Sequence, residues 1–212
     1  MQYAIVRNGK SRSFPEGDSF LSSAVAIENA EVVIYLGAPV VSDQVKSAVL
    51  VELGTESLAV HTGEDADEAF ANVVGFARYR NGDDPPSRLV ELVRRPWTKD
   101  GAVEAARKVF EAAGLEVVVC ADQPGRIIDR LVRPKYNAAL RLLDEKLATQ
   151  ADMDLTCRLG LGYPDGPIER VKRGGLAYHF EVTQALFETY GTPAYAPPRQ
   201  AVVAALRKRN GK

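Results

Sequence analysis

Leu159-Gly160-Leu161-Gly162-Tyr163-Pro164-Asp165-Gly166-Pro167-Ile168-Glu169 is a compact turn set between two helical patterns. Glycine supplies the backbone freedom that ends a helix, and proline suits the first turn of the next one. Upstream, Thr149 with Asp152 resembles a capping pair for a short helix through Arg158. Downstream, Ile168–Arg173 forms a turn or two, Leu176–Tyr190 is a longer helix stopped by Gly191, and Pro197–Lys208 starts with prolines and ends basic. Upstream again, Pro124-Gly125 opens a long helix through about Lys146. Its apolar stripe is Ile127, Ile128, Leu131, Ala138, Ala139, Leu142 and Leu143, and Pro134 within it predicts a kink.

The first half alternates instead. Apolar runs at Tyr3–Val6, Val32–Leu36, Ala48–Leu53, Val73–Tyr79, Arg88–Val93 and Leu115–Cys120 predict strands. Helical spacing falls at Phe20–Ala30, at Asp65–Asn72 and, most clearly, at Asp100–Ala113, with a short helix capped by Ser42 through Ser47. Asn81-Gly82-Asp83-Asp84-Pro85-Pro86 is loop chemistry. Strands alternating with helices argue for an α/β sheet, so the expected fold class is α/β followed by all-α, with residues 1–122 as the sheet domain and 123–212 as the helical domain.

The 212 residues, 46% hydrophobic, suffice for one large core or two small ones. A formal net charge of −1 gives no nucleic-acid footprint, and no apolar run has the length of a membrane span. The charge is uneven: residues 1–120 carry 12 Lys and Arg against 18 Asp and Glu, residues 121–212 carry 15 against 10. That describes either two ordinary solvated surfaces or a basic second half suited to an anionic ligand. Cys120 and Cys157 form no CxxC pair and no metal-ligand spacing, and both read as small core residues in a reducing setting. Met1–Lys10 lacks the apolar stretch of a leader, so a cytoplasmic setting is expected, with no metal.

Five short motifs in order resemble one family, the 3-hydroxyacyl-CoA dehydrogenases, over roughly residues 30–210. The Gly-Tyr-Pro-Asp-Gly-Pro turn is the most specific. Thr55-Glu56-Ser57-Leu58 is similar to the family's Thr-Ser-Ser-Leu, and Val74-Gly75-Phe76-Ala77-Arg78-Tyr79 to its Gly-hydrophobic-His-Phe-Phe strand. Arg88-Leu89-Val90-Glu91-Leu92-Val93 resembles its Lys-Leu-Val-Glu strand, and Pro124-Gly125-Arg126-Ile127-Ile128-Asp129-Arg130 its Pro-Gly-Phe-Ile-Val-Asn-Arg helix start. The resemblance implies a truncated Rossmann-like sheet domain and a helical domain that dimerises and walls an acyl-CoA cleft.

Family members oxidise the 3-hydroxyl of an acyl-CoA and pass a hydride to NAD. A His acts as base, a Glu holds it, and an Asn and a Ser position the substrate oxygen. The positions implied here are Ala77 for the His, Glu91 for the Glu, Asp129 for the Asn and Ser57 for the Ser. A methyl group takes no proton. Glu91 is then either a carboxylate base acting alone or a strand residue paired with Arg78, Arg80 or Arg88. Asp129 brings a charge where the family has an amide, or pairs with Arg130 or Arg133. His61 is a replacement base or a solvated loop residue, and His179 a core or interface residue. The GxGxxG turn that docks a pyrophosphate on a helix N-terminus is missing after Tyr3–Val6, and the acidic ribose-binding position is missing with it.

Three functions stay open. One is a diverged member without normal NAD-dependent activity, homodimeric, binding acyl-CoA or pairing with a complete paralogue. A second is an atypical active 3-hydroxyacyl-CoA dehydrogenase using Glu91, Asp129 or His61. The third is a reused interaction module.

Overall fold

The computed structural model describes residues 1–211. The chain divides into two compact units, one of residues 1–80 and 86–126, the other of residues 81–85 and 127–212.

The first unit is built on six strands, β1 (Tyr3–Arg7), β2 (Val32–Leu36), β3 (Ala48–Glu52), β4 (Val73–Arg78), β5 (Leu89–Arg94) and β6 (Glu116–Ala121), lying side by side in chain order. All neighbours are parallel except β4 and β5, which run antiparallel. The continuous apolar runs of β2 and β3 are what a sheet buried on both faces requires. One face carries Ile34, Leu50, Phe76 and Leu92 under α3 (Asp100–Ala112), whose Ala102, Val103, Ala106, Val109 and Phe110 form its buried stripe. The other carries Val33, Val49, Val51 and Val93 against Leu58.

Three expected helices of this unit are largely absent. Over Phe20–Ala30 only α1 (Ser19–Ser22) and a 3-10 turn at Ile27–Asn29 form. The hydroxyls of Ser22 and Ser23 both donate to Ser19 O, and Val25 N–H donates to Tyr3 O, so the chain leaves the helix to run beside β1. That contact covers part of an edge strand from within the chain. The helix expected at Ser42–Ser47 is replaced by turns, and Asp65–Asn72 keeps only a 3-10 turn at Glu68–Phe70. Buried Asn72 donates to the carbonyls of Asp43 and Lys46, and so fixes both segments in non-helical form. Between β3 and β4 lies the short α2 (Ala59–Thr62).

The second unit holds α4 (Ile128–Asp144), α5 (Gln150–Leu161), α6 (Pro167–Arg173), α7 (Leu176–Tyr190) and α8 (Arg199–Arg209). Thr149 caps α5 as its sequence predicts, but α5 continues past Arg158 to Leu161. It ends at Gly162, whose φ of 69° is the left-handed conformation that glycine adopts at least cost. Gly166 is required for a different reason: a Cβ there would lie 2.2 Å from Asp154. Buried Asp154 reaches from α5 to accept the N–H groups of Ile168 (2.9 Å) and Glu169 (3.1 Å), capping α6 in trans. The Gly-Tyr-Pro-Asp-Gly-Pro turn thus brings one helix end onto the flank of another.

The helix expected from Pro124 starts only at Ile128, because Gly125 (φ 74°) and Arg126 (φ 48°) are both left-handed. Its buried face also differs from the expected stripe. Leu131 and Leu142 are exposed, and α4 buries Arg133, Tyr136, Asn137 and Leu140 beside Ala139. The helix runs through Pro134, and the Tyr195 hydroxyl lies 3.4 Å from Arg130 O, the carbonyl that proline leaves without its helical donor. Among the described residues no helix is long and apolar enough to cross a membrane.

Candidate active site

Ala77 and Glu91 are register partners in the antiparallel β4–β5 pair, so their side chains share one face. Glu91 is 3% exposed. Its ion pair is with Arg126, whose Nε lies 3.5 Å from Glu91 Oε2. Arg126 is not among the expected partners Arg78, Arg80 and Arg88. Arg78 instead donates to Ser13 O and Ser87 O, pairs with Asp18 at 3.2 Å and lies over the Phe14 ring. No sequence signal singles out Arg126; only the left-handed turn, fixed by Gly125 N–H donating to Thr55 O (2.8 Å), delivers it. The Nη2 of Arg126 donates to Gly54 O at 2.7 Å, while buried Nε and Nη1 form no hydrogen bond. A guanidinium thus supplies the counter-charge to Glu91. Chemically this neutralises a carboxylate but provides no proton acceptor.

Ser57 lies in the half-buried stretch between β3 and α2. The Asp122 carboxylate clamps the two residues after it, accepting Leu58 N–H (2.6 Å) and Ala59 N–H (3.0 Å). His61, on α2, is not a solvated loop residue. Its Nε2 lies 3.3 Å from Glu56 Oε1, and its side chain is 23% exposed. Burial alone would push the Glu56 carboxyl up, but His61 and the backbone N–H of Gly54 outweigh it and hold the group at about 2. Cys120 and Cys157 are half-buried, not the core residues their type suggests. Burial, reinforced by the charge of Glu91, pushes the Cys120 thiol up to about 11, an unreactive setting.

Asp129 belongs to the helical unit, so the sheet unit holds Glu91 and Ser57 without it. Of its two expected partners the structure selects Arg133, with Nε 2.8 Å away at the i,i+4 spacing that shares a helix face. A buried chain continues from there. Arg133 Nη1 donates to His179 Nδ1 (3.2 Å), His179 Nε2 donates to Asn137 Oδ1 (2.8 Å), and Asn137 donates to Thr183 and to Ala194 O. Burial first and Arg133 second push His179 down to about 3. It is a neutral, satisfied core histidine.

The chain after β1 is tied down by its own side chains. Arg7 Nε donates to Gly9 O, and Glu52 accepts both the Ser11 hydroxyl and the Ser13 N–H at 2.8 Å, which folds the loop onto the end of β3. Phe14 stacks on Phe20 (4.1 Å between centroids), and Phe20 on Tyr3 (4.4 Å). The next helix, α1, has four residues, and its Asp18 cap accepts Phe20 N–H while pairing with Arg78. A carboxylate thus occupies the helix N-terminus, where a pyrophosphate would need free N–H donors. Among the described residues no group of three or more His, Cys, Asp and Glu could hold a metal.

Residues 125–212 match the family described as 3-hydroxyacyl-CoA dehydrogenase, C-terminal domain. The human mitochondrial hydroxyacyl-coenzyme A dehydrogenase is 37% identical over 92 residues, covering 43% of this chain and 29% of that protein. The 3-hydroxybutyryl-CoA dehydrogenase of Mycobacterium tuberculosis is 30% identical over 133 residues, covering 60% of this chain and 46% of that protein. This chain therefore spans less than half the length of these relatives. In fold, the crystal structure of (S)-3-hydroxybutyryl-CoA dehydrogenase from Ralstonia eutropha superimposes with a TM-score of 0.70 at 20% identity, over 86% of this chain and 66% of that one.

Proposed function

From the premise that this chain belongs to the 3-hydroxyacyl-CoA dehydrogenase family, we propose that it is a diverged member that does not perform NAD-dependent oxidation. It keeps the family scaffold as a homodimer formed through the helical unit and binds an acyl-CoA ester. The observation that carries this reading is the pairing of Ala77 with Glu91 and of Glu91 with Arg126. Alcohol oxidation needs a group that takes the hydroxyl proton as hydride leaves. Where the family places an imidazole there is a methyl group, and the carboxylate that would orient it carries a buried guanidinium instead.

The cofactor, when bound in the family, accepts the hydride. The residues present here do not fit it in the family's manner. The turn after β1 is tied to Glu52, its helix is four residues long, and Asp18 fills the N-terminus. An anionic pyrophosphate beside Asp18 would meet repulsion where the family offers donors. Dimerisation is supported by apolar side chains the helical unit leaves exposed, among them Leu131, Leu155, Leu159 and Leu206. Three of these, on α4 and α5, flank segments that carry the family signature.

Calorimetric titration with NADH and, separately, with acetoacetyl-CoA tests the reading. Heat is expected from the CoA ester and none from NADH, with no loss of NADH absorbance when both are present. Saturable NADH binding with turnover would overturn it. Failure of both ligands would leave only the scaffold role, which sedimentation of the pure chain and of its mixture with a complete paralogue examines.

A further inference from the structure

Lys135 lies on α4, one turn past Leu131, and is half-buried. It has no hydrogen bond and no ion pair among the described residues. Two aromatic rings take the place of a carboxylate. Its Nζ lies 4.4 Å from the centre of the Tyr163 ring, in the turn between α5 and α6, and 5.6 Å from that of Tyr136 on α4 itself. Asp165, in the same turn as Tyr163, pairs with Arg170 at 3.1 Å and Arg173 at 2.7 Å instead. Arg170 on α6 and the Cys157 thiol on α5 are close enough for their charges to act on the Lys135 amine. Lys135, Tyr136, Cys157, Tyr163 and Arg170 all belong to the helical unit.

A lysine becomes a nucleophile near neutral pH when its surroundings disfavour the ammonium form, through burial or through a second cation. Both influences meet on Lys135. Burial first and the charge of Arg170 second pull its amine below the ordinary lysine value, against an opposite pull from Cys157. The rings also favour the ammonium, since a π face attracts a cation. They hold it, however, without a hydrogen bond that the nitrogen would have to give up before reacting. A carboxylate partner would do the reverse and keep the proton in place.

We propose that Lys135 is a site of covalent acylation by small acyl thioesters, with Arg170 as the residue that activates it and Tyr163 as the residue that restrains it. The ammonium gives one proton to solvent. The free Nζ then attacks the thioester carbonyl carbon, the carbon–sulfur bond breaks, and a second Nζ proton ends on the departing thiol. The product is an amide on Lys135, and no oxidant or further reactant is consumed. The inference goes beyond the acyl-CoA reading and does not depend on it, because the reactivity belongs to the amine and needs no seat for the nucleotide of coenzyme A.

The test incubates the purified chain with millimolar acetyl-CoA and, separately, with S-acetyl-N-acetylcysteamine, a thioester that carries no nucleotide. Peptide mass spectrometry follows each lysine, with exposed Lys108 of α3 as the internal reference. At about pH 7.5 either reagent is expected to acetylate Lys135 about threefold faster than Lys108 or more, and the ratio should narrow toward about pH 10 as both amines lose their protons. Arg170→Gln is expected to slow Lys135, and Tyr163→Leu to speed it, in variants that keep the wild-type helical circular dichroism. Opposite changes in the two variants separate this chemistry from a general loosening of the turn, which would move both rates the same way. A Lys135 rate no higher than that of Lys108 overturns the proposal, as does a rate unchanged in Arg170→Gln. A preference seen with acetyl-CoA and lost with the simple thioester also overturns it, by assigning the effect to bound nucleotide and not to the amine.

Discussion

Ala77 faces Glu91 directly across the antiparallel β4–β5 pair, with the Arg126 guanidinium 3.5 Å from the carboxylate. On the proposed reading, Ala77 stands where the family has the imidazole of its His–Glu dyad. Restoring the ring by Ala77→His should not restore oxidation of 3-hydroxybutyryl-CoA. Ala77 is 7% exposed, so a ring must displace its neighbours, at a cost of about 1–3 kcal/mol. Glu91 would still face Arg126, and Asp18 would still occupy the N-terminus of α1. The check is NADH formation by the purified variant, and clear turnover would show that the missing imidazole was the sole defect.

The Glu91–Arg126 pair makes a second prediction, one of stability. Both side chains are buried, and Arg126 already has two nitrogens without hydrogen bonds. Removing one partner strands a charge. Glu91→Gln should therefore lower unfolding free energy by about 3 kcal/mol or more. Replacing both with apolar residues, Glu91→Leu with Arg126→Met, should recover much of that loss, since the desolvation penalty disappears with the charges. Urea denaturation of wild type, Glu91→Leu, Arg126→Met and the double variant closes a double-mutant cycle and gives the coupling. Additive losses would mean that the two groups do not interact.

Some of these elements are legible in the residues alone and others are not, for physical reasons. All six strands are legible as short apolar runs, most plainly β2 and β3, which are buried almost throughout. Helix α3 is legible because one face of it is almost entirely buried. The short helices expected before β2 and around β3 do not form, because side chains such as Asn72 and Ser22 capture backbone groups that a periodicity argument assigns to helix. In the candidate site, the resemblance picks out Ala77 and Glu91 in the sequence, and the strand register pairs them. The role of Arg126 cannot be read there, since a left-handed arginine two residues after a proline carries no pattern. Nor can the partnership of Glu56 with His61, which depends on where a four-residue helix turns.

A third prediction concerns the aromatic cluster beside β1. Phe14 has no exposure, stacks on Phe20 at 4.1 Å, and lies 6.1 Å from both Phe76 and Phe110. It anchors the loop that carries Lys10 and Arg12. Phe14→Ala should cost about 3–5 kcal/mol through lost burial and the cavity left behind. It should also loosen residues 8–18, raising their amide exchange while α3 remains protected. Denaturation together with exchange measured by mass spectrometry checks both. Wild-type protection of the loop would show that the ionic contacts of Glu52 and Arg78 hold it without the ring.

The buried chain Asp129–Arg133–His179–Asn137–Thr183 makes a prediction about acid. His179 is neutral in the folded protein and held down at about 3, first by burial and then by Arg133, whereas in the unfolded chain it takes a proton near the ordinary value of 6.5. Between those two values the unfolded state binds the extra proton, so acid favours unfolding. The contribution of His179 is fully present above about pH 6.5 and is lost progressively as pH falls toward 3, by up to about 1.4 kcal/mol per pH unit. The charged groups facing the ring are Arg133 directly and Asp129 through it. His179→Gln should therefore be less stable at neutral pH, because it disturbs two buried hydrogen bonds, yet should show a flatter decline on acidification. Urea unfolding observed through the helical circular dichroism signal, repeated from about pH 7 to about pH 4, separates the two effects. Equal slopes for both proteins would place the acid sensitivity elsewhere and would remove His179 as the group that ties the helical core to pH.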